Sequence, residues 1–86
     1  MQRAWVVSPD YKAVIGVLRQ AREAKGLSQR EVARRLGKPV SFVNKIELIE
    51  RRIDILEFIT LCRALEIDPH ALLDAMMNEV LGSSEG

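Results

Sequence analysis

Four residues in one short stretch have the side chains and the spacing to form contacts from a single helix face. They are Val40, Ser41, Asn44 and Lys45 in the segment PVSFVNKIELIERRID. A hydroxyl, an amide and an ammonium group can hydrogen-bond to a polar partner, whereas a valine offers only an apolar contact. On a helical wheel Val40, Ser41 and Asn44 lie, together with Leu48, opposite Phe42, Ile46 and Ile49, so these side chains should point away from the core.

No combination of residues in the chain points to catalysis or to metal binding. His70 is the only histidine, and a metal site needs several ligands. Cys62 lies on the apolar side of its segment, which favours a buried thiol. The sequence contains no nucleophile–base pair, carboxylate pair or phosphate-cradling glycine loop. We therefore expect a binding protein that is not an enzyme and needs no metal or cofactor.

The charge of the 86-residue chain is divided unevenly along its length. Residues 1–45 hold ten Lys/Arg and three Asp/Glu, a net charge of +7, whereas residues 46–86 hold three and nine, a net charge of −6. A basic half suits a phosphate-bearing partner, although segregated charges on a solvated surface are the alternative. One cysteine and no apolar run of about 20 residues indicate a soluble cytoplasmic protein without a membrane partner.

Helix start and stop signals divide the chain into five helices. Capping residues followed by proline or by a glutamate three positions later mark helix starts, and glycines mark helix ends. The start signals are Ser8, Ser28, Asp54 and Asp68, with a further start near Pro39 or Val40, and the stop signals are Gly26, Gly37 and Gly82. We expect one all-α domain over residues 1–86, with a core at about 9–81 and arms at 1–7 and 82–86.

The spacing between residues 29 and 46 predicts two short helices that cross steeply. Ala33 is small enough for a second helix to approach closely, and Gly37 allows a positive φ in a tight turn. Val43 and Ile46 would fill the space between the two helices. This is the geometry of a helix-turn-helix, whose second helix lies in the major groove in DNA-binding proteins.

The sequence resembles the phage-repressor and Cro-like helix-turn-helix proteins, the XRE family, over roughly residues 15–75. The matching pieces are LRQAREAKGLSQREVARRLGKP, SFVNKIE and ERRIDILEFITLCRALEIDPHALL. The resemblance implies a lambda-repressor-like five-helix bundle with a central helix-turn-helix. It also implies a dimer that binds double-stranded operator DNA in a prokaryotic, phage or mobile-element setting.

The resemblance assigns base reading to Val40, Ser41, Asn44 and Lys45. Asn44 can pair with the N6/N7 edge of adenine, and Lys45 can reach guanine or a phosphate. Many relatives carry glutamine or arginine where this chain has Val40, whose natural partner is a thymine methyl group. Contacts to the DNA backbone are expected from Gln29, through its amide, and from Arg34, Arg35, Lys38, Arg51 and Arg52. For the five cations a solvated surface charge is the alternative. Arg34 or Glu47 could instead pair with each other or with Arg22 inside the bundle.

The last predicted helix carries an apolar surface wider than one small bundle should need. Such surfaces usually mark interfaces, and the alternative is that this one completes the core. We predict a homodimer interface formed by Leu72, Leu73, Met76, Met77, Val80, Leu81 and Trp5.

Two functions remain open at this point. The first is a dimeric repressor or autoregulator that reads a pseudo-palindromic operator. The second is a protein-interaction module on the same fold, with a toxin or an anti-repressor as its partner and little or no DNA binding. A restriction–modification controller, an antitoxin and a phage repressor fit the sequence equally well.

The end of the reading helix departs from the family pattern. Many relatives have glycine or asparagine at the positions of Leu48 and Ile49. Because a left-handed isoleucine costs roughly 1–2 kcal/mol, we predict that the helix continues to about Ile49 and buries that side chain. Leu48 should remain on the outer side.

Overall fold

The chain folds into a bundle of helices that packs a helix-turn-helix against a three-helix support. The computed structural model describes residues 8–82, and within that range it contains five helices and no strand. This confirms the predicted all-α architecture; Trp5 and the rest of residues 1–7 lie outside the described residues. The helices are α1 (Pro9–Ala24), α2 (Gln29–Leu36), α3 (Val40–Glu47), α4 (Ile55–Leu65) and α5 (Pro69–Leu81).

The predicted capping residues start four of the five helices. The side chains of Ser8, Ser28, Asp54 and Asp68 each accept a hydrogen bond from a backbone N–H in the first turn. At Asp54 the capping box is complete, because Glu57 also accepts from the Asp54 N–H at 3.0 Å. α3 differs, since Pro39 precedes it and provides no side-chain cap. Four helix starts are therefore set locally, while α3 depends on its surroundings.

The helix-turn-helix is built as the spacing predicts. Ala33 is buried where α2 meets α3, and Gly37 adopts φ 69° in the turn between them. Val43 and Ile46 are buried on the inner side of α3. This half packs against α1 and α4, and α5 packs against the same two helices to complete the bundle. Burial of one side of α3 fixes which side faces outward.

An ion pair between Arg22 of α1 and Glu47 of α3 joins two helices across the bundle. Arg22 Nε donates to Glu47 Oε2 at 2.6 Å and Nη2 donates to Oε1 at 2.9 Å. The third donor, Nη1, binds the Leu27 carbonyl at 2.7 Å in the turn after α1. The two side chains are only 12% and 6% exposed. The hydrogen bonds to Glu47 raise the pKa of Arg22, against the opposing effect of burial.

The prediction for the end of α3 is wrong. The helix ends at Glu47, Leu48 follows as its C-cap, and Ile49 adopts a left-handed conformation with φ 63°. Two backbone hydrogen bonds close a Schellman motif there, from Ile49 N–H to the Ile46 carbonyl and from Glu50 N–H to the Lys45 carbonyl. The half-buried Ile49 side chain still packs against the core. These contacts offset the backbone strain that the sequence argument treated as decisive. Leu48 is 57% exposed, as predicted.

Two left-handed residues offer a matched test of this offset. Glu66 ends α4 at φ 57° with an exposed side chain, whereas Ile49 has a similar φ but is β-branched and packs against the core. We expect Glu66→Gly to raise the free energy of unfolding by up to about 1 kcal/mol, because the strain is relieved at little other cost. Ile49→Gly should lower the free energy of unfolding, because the lost apolar burial outweighs the relief of backbone strain. Urea denaturation measures both; a stabilised Ile49→Gly protein would contradict our account of that turn.

The Arg22–Glu47 pair should contribute far more to stability than the exposed pairs. Glu47→Ala removes the buried counter-ion of Arg22 and leaves only the Leu27 carbonyl and the half-exposed Glu23 carboxylate at 3.8 Å, so we expect a loss of up to about 3–5 kcal/mol in the free energy of unfolding. Arg19→Ala is the control, since it removes an exposed i,i+4 pair with Glu23 and should cost less than about 1 kcal/mol. Equal effects of the two substitutions in thermal or urea unfolding would show that the buried pair is not special.

Candidate nucleic-acid interface

The predicted base-reading residues share the outward face of α3. Val40, Ser41 and Lys45 are exposed, and Asn44 is half-buried at the side nearest α2. Because Val43 and Ile46 anchor the opposite side in the core, this face cannot rotate without unpacking the bundle. The structure thus brings the four residues together as one small surface with an apolar, a hydroxyl, an amide and a cationic group.

The amide of Asn44 is held by a chain of hydrogen bonds that leads into the bundle. Asn44 Nδ2 donates to Gln29 Oε1 at 3.2 Å, and Gln29 Nε2 donates to Glu47 Oε1 at 2.8 Å. Both ends of the Gln29 side chain are therefore engaged within the protein. Gln29 was predicted only as a donor to the DNA backbone, and this connection was not predicted. Its partner is 18 residues away, and no local pattern marks such a pair.

The two arginines near the end of α2 have different surroundings. Both donate to the carboxylate of Glu31, and these hydrogen bonds lower the pKa of Glu31 to about 2. Arg34 is otherwise exposed to solvent. Arg35 also donates to the Ala64 carbonyl at 2.8 Å, at the end of α4. The structure thus directs Arg35 towards α4 rather than towards the outward face of α3.

Two of the predicted backbone-contacting cations flank the aromatic ring of Phe42. Lys38 Nζ lies 5.3 Å and the Arg51 guanidinium 4.7 Å from the ring centroid, within the range of cation–π attraction. Arg51 also forms a two-pronged pair with Glu57, at 3.1 and 3.0 Å, which lowers the pKa of that carboxyl. Phe42 thus gathers two positive charges beside the start and beyond the end of α3.

The Arg52 guanidinium stacks over the ring of Tyr11, with 4.7 Å to the ring centroid. The Tyr11 hydroxyl accepts a hydrogen bond from the Ile53 N–H at 3.2 Å, which ties this loop to α1. The segment between α3 and α4 is therefore held by two contacts between an arginine and an aromatic ring, Arg51 with Phe42 and Arg52 with Tyr11.

The apolar side of α5 divides into a buried and an exposed part, which corrects the predicted dimer interface. Leu72 and Met76 are 5% and 4% exposed and belong to the core, because α5 packs on α1 and α4 through them. They do not belong to an exposed face. The exposed residues of the predicted set are Leu73, Met77 and Leu81, with Val80 half-buried.

Three apolar residues of α4 are exposed, Ile55, Leu56 and Ile59, and none of them was predicted to form a surface. Ile55 lines a groove of about 250 Å³ together with Leu73 of α5. A second groove of similar volume continues along α5 past Leu73 to Leu81. The helical periodicity of α4 does not reveal this exposure, because periodicity alone does not show which apolar residues another helix covers.

Other site types find no support among residues 8–82. No group of three or more His, Cys, Asp or Glu side chains is placed to hold a metal ion there. Cys62 is fully buried, which raises the pKa of its thiol, as expected for a structural cysteine. No helix in the described part of the chain has the length and apolar character to cross a membrane.

Comparison with known proteins agrees with this geometry. Residues 18–72 match the model of a helix-turn-helix family. An XRE-family like protein from Pseudomonas syringae pv. tomato str. DC3000 is 47% identical, with 79% of this chain and 85% of that chain covered at a TM-score of 0.73. The wild-type restriction-modification controller protein C.Esp1396I shares the fold at 22% identity, 86% and 95% coverage and a TM-score of 0.79. No significant match is found among curated proteins.

The family match spans the two crossed helices and their outward polar face, and the predicted resemblance is confirmed. The chain belongs to the XRE family of helix-turn-helix proteins and is a DNA-binding transcriptional regulator.

Proposed function

We propose that the protein is a dimeric repressor or autoregulator that inserts α3 into the major groove of a pseudo-palindromic operator. The observation that carries this proposal is the outward face of α3, where Ser41, Asn44 and Lys45 stand on a helix locked by its buried side. A rigid helix with clustered hydrogen-bonding side chains is what direct readout of base edges requires.

Each reading residue has a partner that suits its chemistry. The Asn44 amide suits adenine, and Lys45 suits the N7/O6 edge of guanine or a phosphate. Ser41 suits either type of base or a phosphate. Val40 is 39% exposed and suits the methyl group of thymine. Specificity at the position of Val40 would then rest on shape and apolar contact alone.

The DNA backbone would be held by cations on either side of the reading face. Arg34 and Lys38 lie before α3, and Arg51 and Arg52 lie after it. Contacts of this kind set register and affinity without reading sequence. Gln29 and Arg35 are engaged with the protein itself, so we assign them a role in holding the site rather than in contacting phosphate.

The exposed apolar side chains of α4 and α5 are the proposed contact with a second copy. Ile55, Leu73, Met77 and Leu81 are exposed and line two grooves that share Leu73. α5 packs on α1 and α4 whereas α3 packs on α1 and α2, so this face is built by other helices than the reading face. A two-fold axis there would set two reading helices about 34 Å apart, one turn of DNA.

A second candidate function is a protein-interaction module. Its support is that Val40 and Leu48 leave apolar surface at both ends of α3. A toxin or an anti-repressor would dock on that surface. The three biological settings, a restriction–modification controller, an antitoxin and a phage repressor, differ in neighbouring genes rather than in this fold.

Selection of bound duplexes from a random DNA pool tests the main proposal. We expect an enriched palindrome with half-sites about one helical turn apart. Asn44→Ala and Lys45→Ala should each weaken binding to that palindrome by about 1–3 kcal/mol if they read bases. Arg63→Ala is the matched control, because it removes an exposed cation on α4, away from the reading face.

The salt dependence of binding separates the two candidate functions. A DNA-binding regulator should lose affinity steeply as salt rises, in proportion to the number of phosphates neutralised. Absence of any enriched sequence, together with no binding above random duplex at low salt, would contradict the main proposal and favour the interaction module.

Sedimentation without DNA tests the proposed dimer. Met77→Glu should shift the protein from dimer to monomer, because it places a charge in the apolar face. Leu48→Glu is the control, since Leu48 is an exposed leucine at the end of α3. If the wild-type protein is a monomer at high micromolar concentration, the proposed dimer is wrong. If Leu48→Glu dissociates the dimer and Met77→Glu does not, the interface lies at α3 rather than at α4 and α5.

A further inference from the structure

The reading residue Asn44 is connected to the buried Arg22–Glu47 pair through one intermediate side chain, Gln29. We propose that Gln29, oriented by Glu47, is a positioning residue that fixes the direction of the Asn44 amide and thereby makes it select adenine. The inference rests on the proposed function, because the direction of the amide affects recognition only if α3 enters the major groove.

The first step is the direction of the Gln29 amide. A guanidinium only donates hydrogen bonds and a carboxylate only accepts them. Both oxygens of Glu47 accept from Arg22, and Oε1 also accepts from Gln29 Nε2 at 2.8 Å. A reversed Gln29 amide would place its carbonyl oxygen against that carboxylate. The Glu47 side chain is nearly buried, so water cannot relieve such a clash of acceptors.

The second step passes this direction to Asn44. With its nitrogen towards Glu47, the Gln29 amide turns Oε1 towards α3, where it accepts from Asn44 Nδ2 at 3.2 Å. A reversed Asn44 amide would bring two carbonyl oxygens together. The nitrogen of Asn44 is therefore held on the side of α2, and its oxygen Oδ1 lies on the other side of the amide.

The third step is the match to a base. Asn44 still has Oδ1 as an acceptor and one remaining N–H on Nδ2 as a donor. The major-groove edge of adenine shows an acceptor at N7 beside a donor at N6, whereas guanine shows two acceptors. An amide of fixed direction pairs with adenine in one orientation only. It therefore rejects guanine and also distinguishes A·T from T·A.

The competing role for Gln29 is a direct contact to phosphate. That contact would be independent of sequence, so its loss should weaken binding to every duplex by a similar factor. It would also be additive with changes at Asn44, since the two groups would act separately. A positioning role predicts the opposite on both points, because Gln29 would act only through Asn44.

A double-mutant cycle on the selected operator distinguishes the two roles. The proteins are wild type, Gln29→Met, Asn44→Ala and the double variant, with Arg30→Met as a control at the neighbouring exposed position. The base pair read by Asn44 is the one whose preference disappears in Asn44→Ala. Dissociation constants are then measured on the selected duplex and on duplexes with each other base pair at that step.

We expect the base pair read by Asn44 to be A·T. Gln29→Met should reduce the preference of the protein for A·T over G·C and T·A at that position by roughly fivefold or more. Preferences at other steps should stay unchanged. Adding Gln29→Met to Asn44→Ala should have no further effect at that step. Arg30→Met should leave all base preferences as in wild type.

Three results would overturn the inference while leaving the proposed function intact. The first is a loss of affinity in Gln29→Met that is equal on all duplexes and adds to the loss caused by Asn44→Ala. The second is an unchanged preference for adenine in Gln29→Met. The third is that the base pair read by Asn44 is not A·T. If the wild type selects no sequence at all, the proposed function fails and the inference falls with it.

An NMR measurement on the free wild-type protein needs no variant and covers the case in which Gln29→Met does not fold. Nuclear Overhauser contacts should join the Nδ2 protons of Asn44 to the side chain of Gln29, as the 3.2 Å hydrogen bond requires. Absence of these contacts would overturn the inference.

Discussion

The arrangement of this domain depends on one buried ion pair, Arg22 with Glu47. Its guanidinium uses three donors to join α1, the turn at Leu27 and the last residue of α3. Replacing a buried pair by apolar residues often leaves stability unchanged or higher, so the pair is better understood as a device for specificity. Here the pair fixes the position of the C-terminal end of α3 relative to α1. It also provides the acceptor that orients Gln29.

The reading helix could not hold its position without such anchors. α3 has eight residues and no side-chain N-cap, and isolated helices of that length are not stable in water. Its inner side is fixed by Val43 and Ile46, and its end by the Schellman turn at Ile49. The direction of the outward side chains is therefore a product of tertiary packing rather than of helix propensity.

The sequence predicted the features that local rules control. Ser28, Gly37 and Asp54 sit in capping and turn patterns whose physics involves only a few neighbouring residues, and all three behave as expected. The same local reasoning failed at Ile49, because the strain of a left-handed residue is local while the packing that offsets it is not.

Two further misses have the same cause. Leu72 and Met76 share an apolar stripe with the exposed residues of α5, and periodicity does not reveal that α1 and α4 cover only one side of that stripe. The pairing of Gln29 with Glu47 depends on the crossing of α2 and α3. The residues of the reading face were thus predictable from spacing, while the network that orients them required the assembled fold.

The ion pairs of this protein fall into two physical classes with separate consequences for DNA binding. Arg34 pairs with Glu31 near the surface, and Arg51 pairs with Glu57 where both side chains are partly exposed. Such solvent-screened pairs contribute little to stability, so a phosphate can share or replace the carboxylate at little cost. They keep long cationic side chains ordered beside the reading face. The Arg22–Glu47 pair cannot exchange in this way, because both side chains are nearly buried and separating them would remove the main counter-ion of each. The exposed pairs can exchange partners, so they suit phosphate contacts whose strength varies with ionic strength. The buried Arg22–Glu47 pair keeps its partner, so it suits the task of orienting the base-reading amide of Asn44.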